Sequence, residues 1–179
     1  RFKELIRALL EFSRKSDFGV SRERFGDLVD NAIKLIQGEI PTNVNVDVDI
    51  PEEIHASEDP RRIQQVLLNL MINGFQAMEP AGGTLRLSAR EDGEGKGFSF
   101  RVQDTGKGIP RDQLHRIFDP FYTTKGDASG SGLGLSVSRG IIESHYGSIS
   151  VESQEGRGTT FIVYLPYEQS ADTTGTVGA

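Results

Sequence analysis

The sequence predicts an α+β domain: a two-layer α/β sandwich in which three helices cover one face of a mixed, mostly antiparallel sheet, with a further bundle helix at the N-terminus. Three observations lead there. Segments 43–50, 83–90, 97–104, 148–154 and 158–165 read as strands. Segments 22–37, 60–78 and 132–145 read as helices with an apolar side to bury. The turn-rich Glu91-Asp92-Gly93-Glu94-Gly95 joins two of the strands as a hairpin, so the helices pack together on one face of the sheet.

Phe2, Leu5, Leu9 and Phe12 recur at three- and four-residue steps, with Lys3, Glu4, Arg7, Glu11 and Arg14 on the other side. Two heptads bury too little to stand alone, so residues 1–21 are expected to form the end of a bundle helix. Gly19 breaks that pattern, and Ser21 with Arg24 opens the helix that Gly38 and Pro41 end. Residues 43–50, Asn-Val-Asn-Val-Asp-Val-Asp-Ile, alternate without exception, which predicts a strand with its valines toward the core. Asp59-Pro60 starts the next helix, an acceptor at the cap and proline in the first turn, and Pro80 with Gly82-Gly83 ends it. A long segment, 106–131, holds one short helix near 111–117 and is otherwise rich in glycine, threonine and serine, the composition of a lid. The stretch after Tyr167 lacks apolar periodicity and reads as a disordered tail or linker over 168–179. The main domain is therefore 22–167.

With 179 residues, 36% hydrophobic and 26% charged, one main globular domain is expected. A net charge of -6 excludes the broad basic face needed for nucleic acid or an anionic membrane. Cysteine is absent, which removes disulfides, thiolate metal sites and a cysteine nucleophile, and fits a cytoplasmic location. No run approaches the ~18 apolar residues of a membrane span. The chain opens at Arg1 inside an amphipathic pattern, as an excised fragment would.

Three constellations carry chemistry. Gln65, Asn69 and Asn73 lie at four-residue steps on a helix otherwise apolar nearly all round. A buried amide demands a partner, and its carbonyl oxygen is a neutral, hard ligand suited to Mg2+; the alternative is that both asparagines cap backbone carbonyls inside the fold. Asp104 ends a strand and enters Thr105-Gly106-Lys107-Gly108-Ile109, where the glycines permit close approach of backbone to a flat ligand. Its carboxylate suits an exocyclic amine such as adenine's, although Asp-x-Gly is also a common plain turn. Gly130-Ser131-Gly132-Leu133-Gly134-Leu135 leads directly into a helix, so N–H groups and the helix dipole can face a polyphosphate. It is neither a dinucleotide fingerprint nor a Walker loop, and a solvated hinge is the competing reading.

With these residues in this order, the chain resembles the catalytic and ATP-binding domain of sensor histidine kinases, within the superfamily that includes gyrase B, MutL and the large heat-shock chaperones. The likeness covers 22–166. Asn69-Leu-Met-Ile-Asn73-Gly resembles the N box and Asp104-Thr-Gly-Lys-Gly-Ile the G1 box. Ile117-Phe-Asp-Pro-Phe-Tyr-Thr-Thr-Lys125 resembles the F box, Gly130-Ser-Gly-Leu-Gly-Leu the G2 box and Gly156-Arg-Gly-Thr-Thr-Phe161 the last glycine box. The F box separates histidine kinases from the other ATPases.

The resemblance implies a Bergerat-type ATP-binding fold, ATP and Mg2+ as ligands, and transfer of the γ-phosphoryl group to a histidine for relay to an aspartate of a response regulator receiver domain. It implies that Asn69 and Asn73 serve Mg2+, Asp104 the adenine amine, Thr159 a water-mediated base contact, and Gly132 to Leu135 the phosphates. The implied nucleotide-contacting set is Asn69, Asn73, Ala77, Asp104, Gly106, Gly108, Ile109, Thr124, Lys125, Gly130, Ser131, Gly132, Leu133, Gly134, Leu135 and Thr159. Asn69, Asn73 and Lys125 are the implied catalytic residues. Gln76 stands where many relatives carry a phosphate-binding lysine, which leaves Lys125 or Lys107 as the candidate cation.

The N-terminal helix resembles the second helix of the dimerisation and phosphotransfer hairpin, so the intact protein is expected to be a homodimer. Neither nucleic acid nor membrane contact is expected within this stretch, which would be cytoplasmic, including as the inner portion of a membrane-bound sensor. None of the three histidines, His55 in a strand, His115 in the lid helix and His145 at a helix end, is followed by Glu-x-x-x-Pro, so the acceptor is expected elsewhere. The competing readings are an ATPase-driven clamp or anti-sigma-type serine kinase of the same superfamily, and an interaction module with a degenerate pocket.

Overall fold

The computed structural model describes residues 23–56, 59–123 and 132–167. The expected bundle helix over 1–21, the tail over 168–179, and Thr124, Lys125, Gly130 and Ser131 lie outside them.

Strand β1 (Glu23–Arg24) pairs antiparallel with β3 (His55–Ala56), and helix α1 (Phe25–Leu35) follows directly. Among the described residues no side chain caps α1; instead the Phe25 N–H donates to the Ile54 carbonyl at 2.8 Å, which uses one of its leading donors. The helix expected over 22–37 is thus shorter at both ends. Extended pairing with β3 holds Glu23 and Arg24, and Gln37–Glu39 tightens into a 3-10 turn. Helix α2 (Pro60–Met78) keeps its expected limits, because the Asp59 carboxylate accepts from the Arg61 N–H at 3.0 Å and Pro60 fills the first turn. Helix α3 spans Gly134–Ser144.

The larger sheet has the order β2-β4-β5-β7-β6, with β2 (Val44–Asp49), β4 (Gly83–Glu91), β5 (Gly97–Asp104), β6 (Ser148–Gln154) and β7 (Gly158–Pro166). β2 runs parallel to β4 and every other pair is antiparallel, so the sheet is mixed as expected. Leu85 and Leu87 of β4, Phe98 and Phe100 of β5, and Val163 and Leu165 of β7 are buried together. They face Ile63, Val66, Leu67, Leu70 and Met71 of α2, which are fully buried. Phe25 of α1 closes this core, its ring 4.9 Å from those of both Phe98 and Phe100.

Ion pairs occupy the opposite face, where Arg86 lies 3.3 Å from Asp47 and Arg90 2.6 Å from Asp49, all about half exposed. The valines of β2 only partly meet the expectation that they fill the core. Val44 and Val46 pack against it, but Val48 is 42% exposed, because β2 is an edge strand and the helical layer does not cover its far end.

The short helix expected near 111–117 is a run of turns: Gln113 N–H donates to Pro110, Arg116 to Gln113 and Asp119 to Arg116. So short a segment does not gain enough to nucleate a helix, and its anchor is the buried Ile117. His115 is therefore on an exposed turn, whereas His55 lies in β3 and His145 caps α3 as expected. Among the described residues, no helix is long and apolar enough to cross a membrane.

Candidate functional site

Asn69, Asn73 and Ala77 follow one another at four-residue steps on the stripe of α2 that opens to a cavity of about 380 Å3. Gln65, one step earlier, is buried outside that lining. The opposite walls come from Asp104 at the end of β5, Gly108 and Ile109 in the loop after it, Gly132, Gly134 and Leu135 at the start of α3, and Thr159 on β7. Gly106 and Leu133 are not in the lining. Gly106 stands behind it, packed so closely on the Ala77 carbonyl that a Cβ there would lie 2.5 Å from the oxygen.

The Asn69 amide is oriented by α3. Its Nδ2 donates to the Gly134 carbonyl and to Ser138 Oγ, each at 3.2 Å, which leaves Oδ1 as the atom for a ligand. Ser138 is completely buried, and its Oγ donates back to the Gly134 carbonyl at 2.9 Å. At the other end of the stripe, Asp104 is 4% exposed and its Oδ1 accepts from the Gly106 N–H at 2.8 Å. Burial pushes its carboxyl up to about 6, against the downward pull of the Gly106 and Thr159 N–H groups. A buried carboxylate that faces a cavity is poised to accept from a donor supplied by a ligand.

The loop after β5 is clamped at both sides. Lys107 N–H donates to the Ala77 carbonyl at 3.0 Å, and the Lys107 carbonyl accepts from Gly156 N–H at 2.7 Å. Gly108 adopts φ +71°, and a Cβ there would collide with the Gln154 carbonyl. Lys107 lines the Asp104 end of the cavity, and Ala77, its partner, is eight residues and about 12 Å along α2 from Asn69. Across the cavity Gly132 adopts φ +65°, and Phe121 N–H donates to its carbonyl at 3.0 Å. Among the described residues no side chain caps the start of α3, and the end of its dipole faces the cavity that Gly134 and Leu135 line.

Residues 58–169 match the family described as histidine kinase-, DNA gyrase B- and HSP90-like ATPase. This chain belongs to that family. Within it the chain is a histidine kinase catalytic domain. It is 30% identical to the catalytic domain of histidine kinase ThkA, covers 97% of that chain with 85% of its own, and superposes with a TM-score of 0.73. It is 38% identical over 171 residues to the sensor histidine kinase ZraS of Escherichia coli K12, an alignment covering 93% of this chain and 35% of ZraS. The sensor kinase CckA of Brucella abortus is 34% identical over 93% of this chain and 19% of its own length. The chain thus spans about a third or less of the length of these relatives. ShkA, solved full-length in complex with AMPPNP, superposes at a TM-score of 0.71 with 25% identity, covering 94% of this chain and 36% of that one.

Ten of the expected residues therefore share this histidine kinase domain's cavity: Asn69, Asn73, Ala77, Asp104, Gly108, Ile109, Gly132, Gly134, Leu135 and Thr159. Thr124, Lys125, Gly130 and Ser131 lie outside the described residues. The sequence reading missed Ile72, Glu155 and Ser138. The one available signal for Ser138 was its place four residues after Gly134, a helical step that brings its hydroxyl onto the Gly134 carbonyl.

Proposed function

We propose that the cavity binds Mg-ATP and presents its γ-phosphoryl group to a histidine outside this domain. The observation that carries the reading is convergence: a buried carboxylate, two helical amides and a helix N-terminus, from three separate parts of the chain, line one cavity. Family membership supports nucleotide binding itself.

In this reading Asp104 accepts from the exocyclic amine of adenine and Thr159 completes the base contact through water. Gly106, Gly108 and Ile109 shape the base-side loop, and Ala77 on α2 flanks the base. The phosphates lie against Gly132, Leu133, Gly134 and Leu135 at the start of α3, with Thr124, Gly130 and Ser131 as further contacts and Lys125 as the cation. Asn69 and Asn73 hold Mg2+. The donor set fits that ion. Among the described residues no group of three His, Cys, Asp or Glu side chains could hold a metal, and neutral amide oxygens combined with phosphate oxygens and water are what Mg2+ accepts. When bound, the ion supplies charge neutralisation across the phosphates.

The chain's own task is to position and desolvate. The α2 stripe sets the distance between base and phosphates, and the Phe121–Gly132 backbone bond joins the two sides of the segment between them. Two of the three described histidines are held by backbone carbonyls, and none of the three is followed by Glu-x-x-x-Pro. His145 is buried with Nδ1 2.7 Å from the Ile141 carbonyl, and His55 Nδ1 lies 2.6 Å from the Glu53 carbonyl. The acceptor would stand on a phosphotransfer hairpin to which residues 1–21 belong, in a cytoplasmic homodimer, with a response regulator receiver domain downstream. Residues 22–167 would be the catalytic unit and 168–179 a tail.

The test is to mix this chain with labelled ATP and a separate phosphotransfer domain bearing an acceptor histidine. Label on that histidine is expected. Label on serine, or free phosphate alone, contradicts the reading.

A further inference from the structure

Gln65 is 4% exposed, and no described residue pairs with its amide. The other buried polar side chains among the described residues, Asn69, Asp104, Ser138, His145 and Thr159, each have a partner. An amide carries two donors and an acceptor oxygen, and leaving them unpaired among Ile63, Val66 and Leu68 costs stability. Gln65 stands outside the cavity lining, so it acts on a ligand only through a neighbour. That neighbour is Asn69, four residues and about 6 Å further along the same stripe of α2, the spacing at which helical side-chain amides bond. Both Nδ2 protons of Asn69 are in use, one on Ser138 Oγ and one on the Gly134 carbonyl. The Gly134 carbonyl belongs to the first residue of α3, the element against which the phosphates would lie, and it accepts from Ser138 as well.

We propose that Gln65 is a positioning residue held in reserve: when a nucleotide draws the start of α3 onto its phosphates, the Gln65 carbonyl oxygen takes the Asn69 Nδ2 proton that Gly134 gives up. The inference rests on the nucleotide reading above and adds a residue to it. Asn69 Nδ2 then keeps two partners in both states, and Oδ1 keeps its direction toward the metal. The unpaired amide of the free state is the cost of that arrangement, so removing it has two effects of opposite sign. The free domain gains stability, and the liganded site loses the support of one carboxamide.

The experiment compares the intact chain with Gln65→Met, which replaces the amide by an apolar chain of similar length. Thermal melts without ligand should show the midpoint of the variant raised by about 3 °C. Calorimetric titrations of ADP with and without Mg2+ should show the strengthening by Mg2+ reduced about fivefold, the value of roughly one hydrogen bond. A glutamine with a merely structural role gives a midpoint that stays or falls, and that result overturns the proposal. So does a folded variant with an unchanged Mg2+ effect, whereas a wild type that fails to bind ADP sinks the nucleotide site instead. A second measurement needs no variant: by NMR a contact between the Asn69 Nδ2 protons and the Gln65 side chain should strengthen when Mg-ADP is added to the wild type. A contact that does not change also overturns it.

Discussion

Asn69 Nδ2 and Ser138 Oγ lie 3.2 Å apart, and through them α2 and α3 fix the direction of one carboxamide at the cavity wall. Both side chains are buried, so neither has bulk water as an alternative partner. Ser138→Ala should leave the amide held by the Gly134 carbonyl alone and loosen its orientation. The expected result is that Mg2+ strengthens ADP binding about fivefold less than in wild type, while the midpoint of thermal unfolding falls by about 3 °C. Titrations with and without Mg2+ check this, and an unchanged metal effect would exclude an orienting role.

Asp104 makes the site pH-sensitive. Its folded carboxyl is raised to about 6 from an unfolded value of 3.8, mainly by burial. The folded state therefore binds the proton more tightly, and the penalty of burying the charge is absent below pH 3.8, grows up to about 6 and is complete above it. Wild-type stability relative to Asp104→Asn should fall by about 2–3 kcal/mol across that window and stay level at higher pH. ADP affinity should move the opposite way, weakening as pH drops through about 6, because the ionised form is the better acceptor for an amine. Denaturant melts and calorimetry at pH 4 to 8 measure both, with Asp104→Asn as the flat reference.

Gly108→Ala tests the clamped loop. Its φ of +71° disfavours any L side chain, and a methyl would strike the Gln154 carbonyl. Destabilisation of about 1–3 kcal/mol is expected, with a loss of ADP affinity larger than that of an exposed substitution such as Gly93→Ala, which meets open space.

Helix α2 was legible to the residue because Asp59-Pro60 and Gly82-Gly83 punctuate it chemically, and Asn69, Asn73 and Ala77 share a face by helical period alone. The hairpin strands β4 and β5 were equally readable from the turn between them. The two-residue pair β1–β3 was not, since Glu23 and Arg24 pair with Ala56 and His55, too far along the chain to leave a local pattern. Residues 111–117 have the composition of a helix, but the segment is too short to nucleate one and is held instead by successive turns and the buried Ile117. Ser138 offered only the four-residue step from Gly134, because its role comes from a tertiary partner, Asn69, and it carries no motif of its own. Lys107 shows the converse. Its charge suggested a phosphate contact, but its backbone ties it beside Ala77 and Asp104.

The central claim is that the stripe of α2 and the carboxylate of β5 form one nucleotide site. The measurement closest to it is calorimetric titration of Mg-ADP into the wild type, Asn73→Ala and Asp104→Ala, with thermal melts of each. One-to-one binding by the wild type is expected, and ligand at about 100 times its dissociation constant should stabilise it by about 2.7 kcal/mol. Each variant should remain folded and lose that stabilisation. Folded variants that bind Mg-ADP as tightly as the wild type would contradict the account.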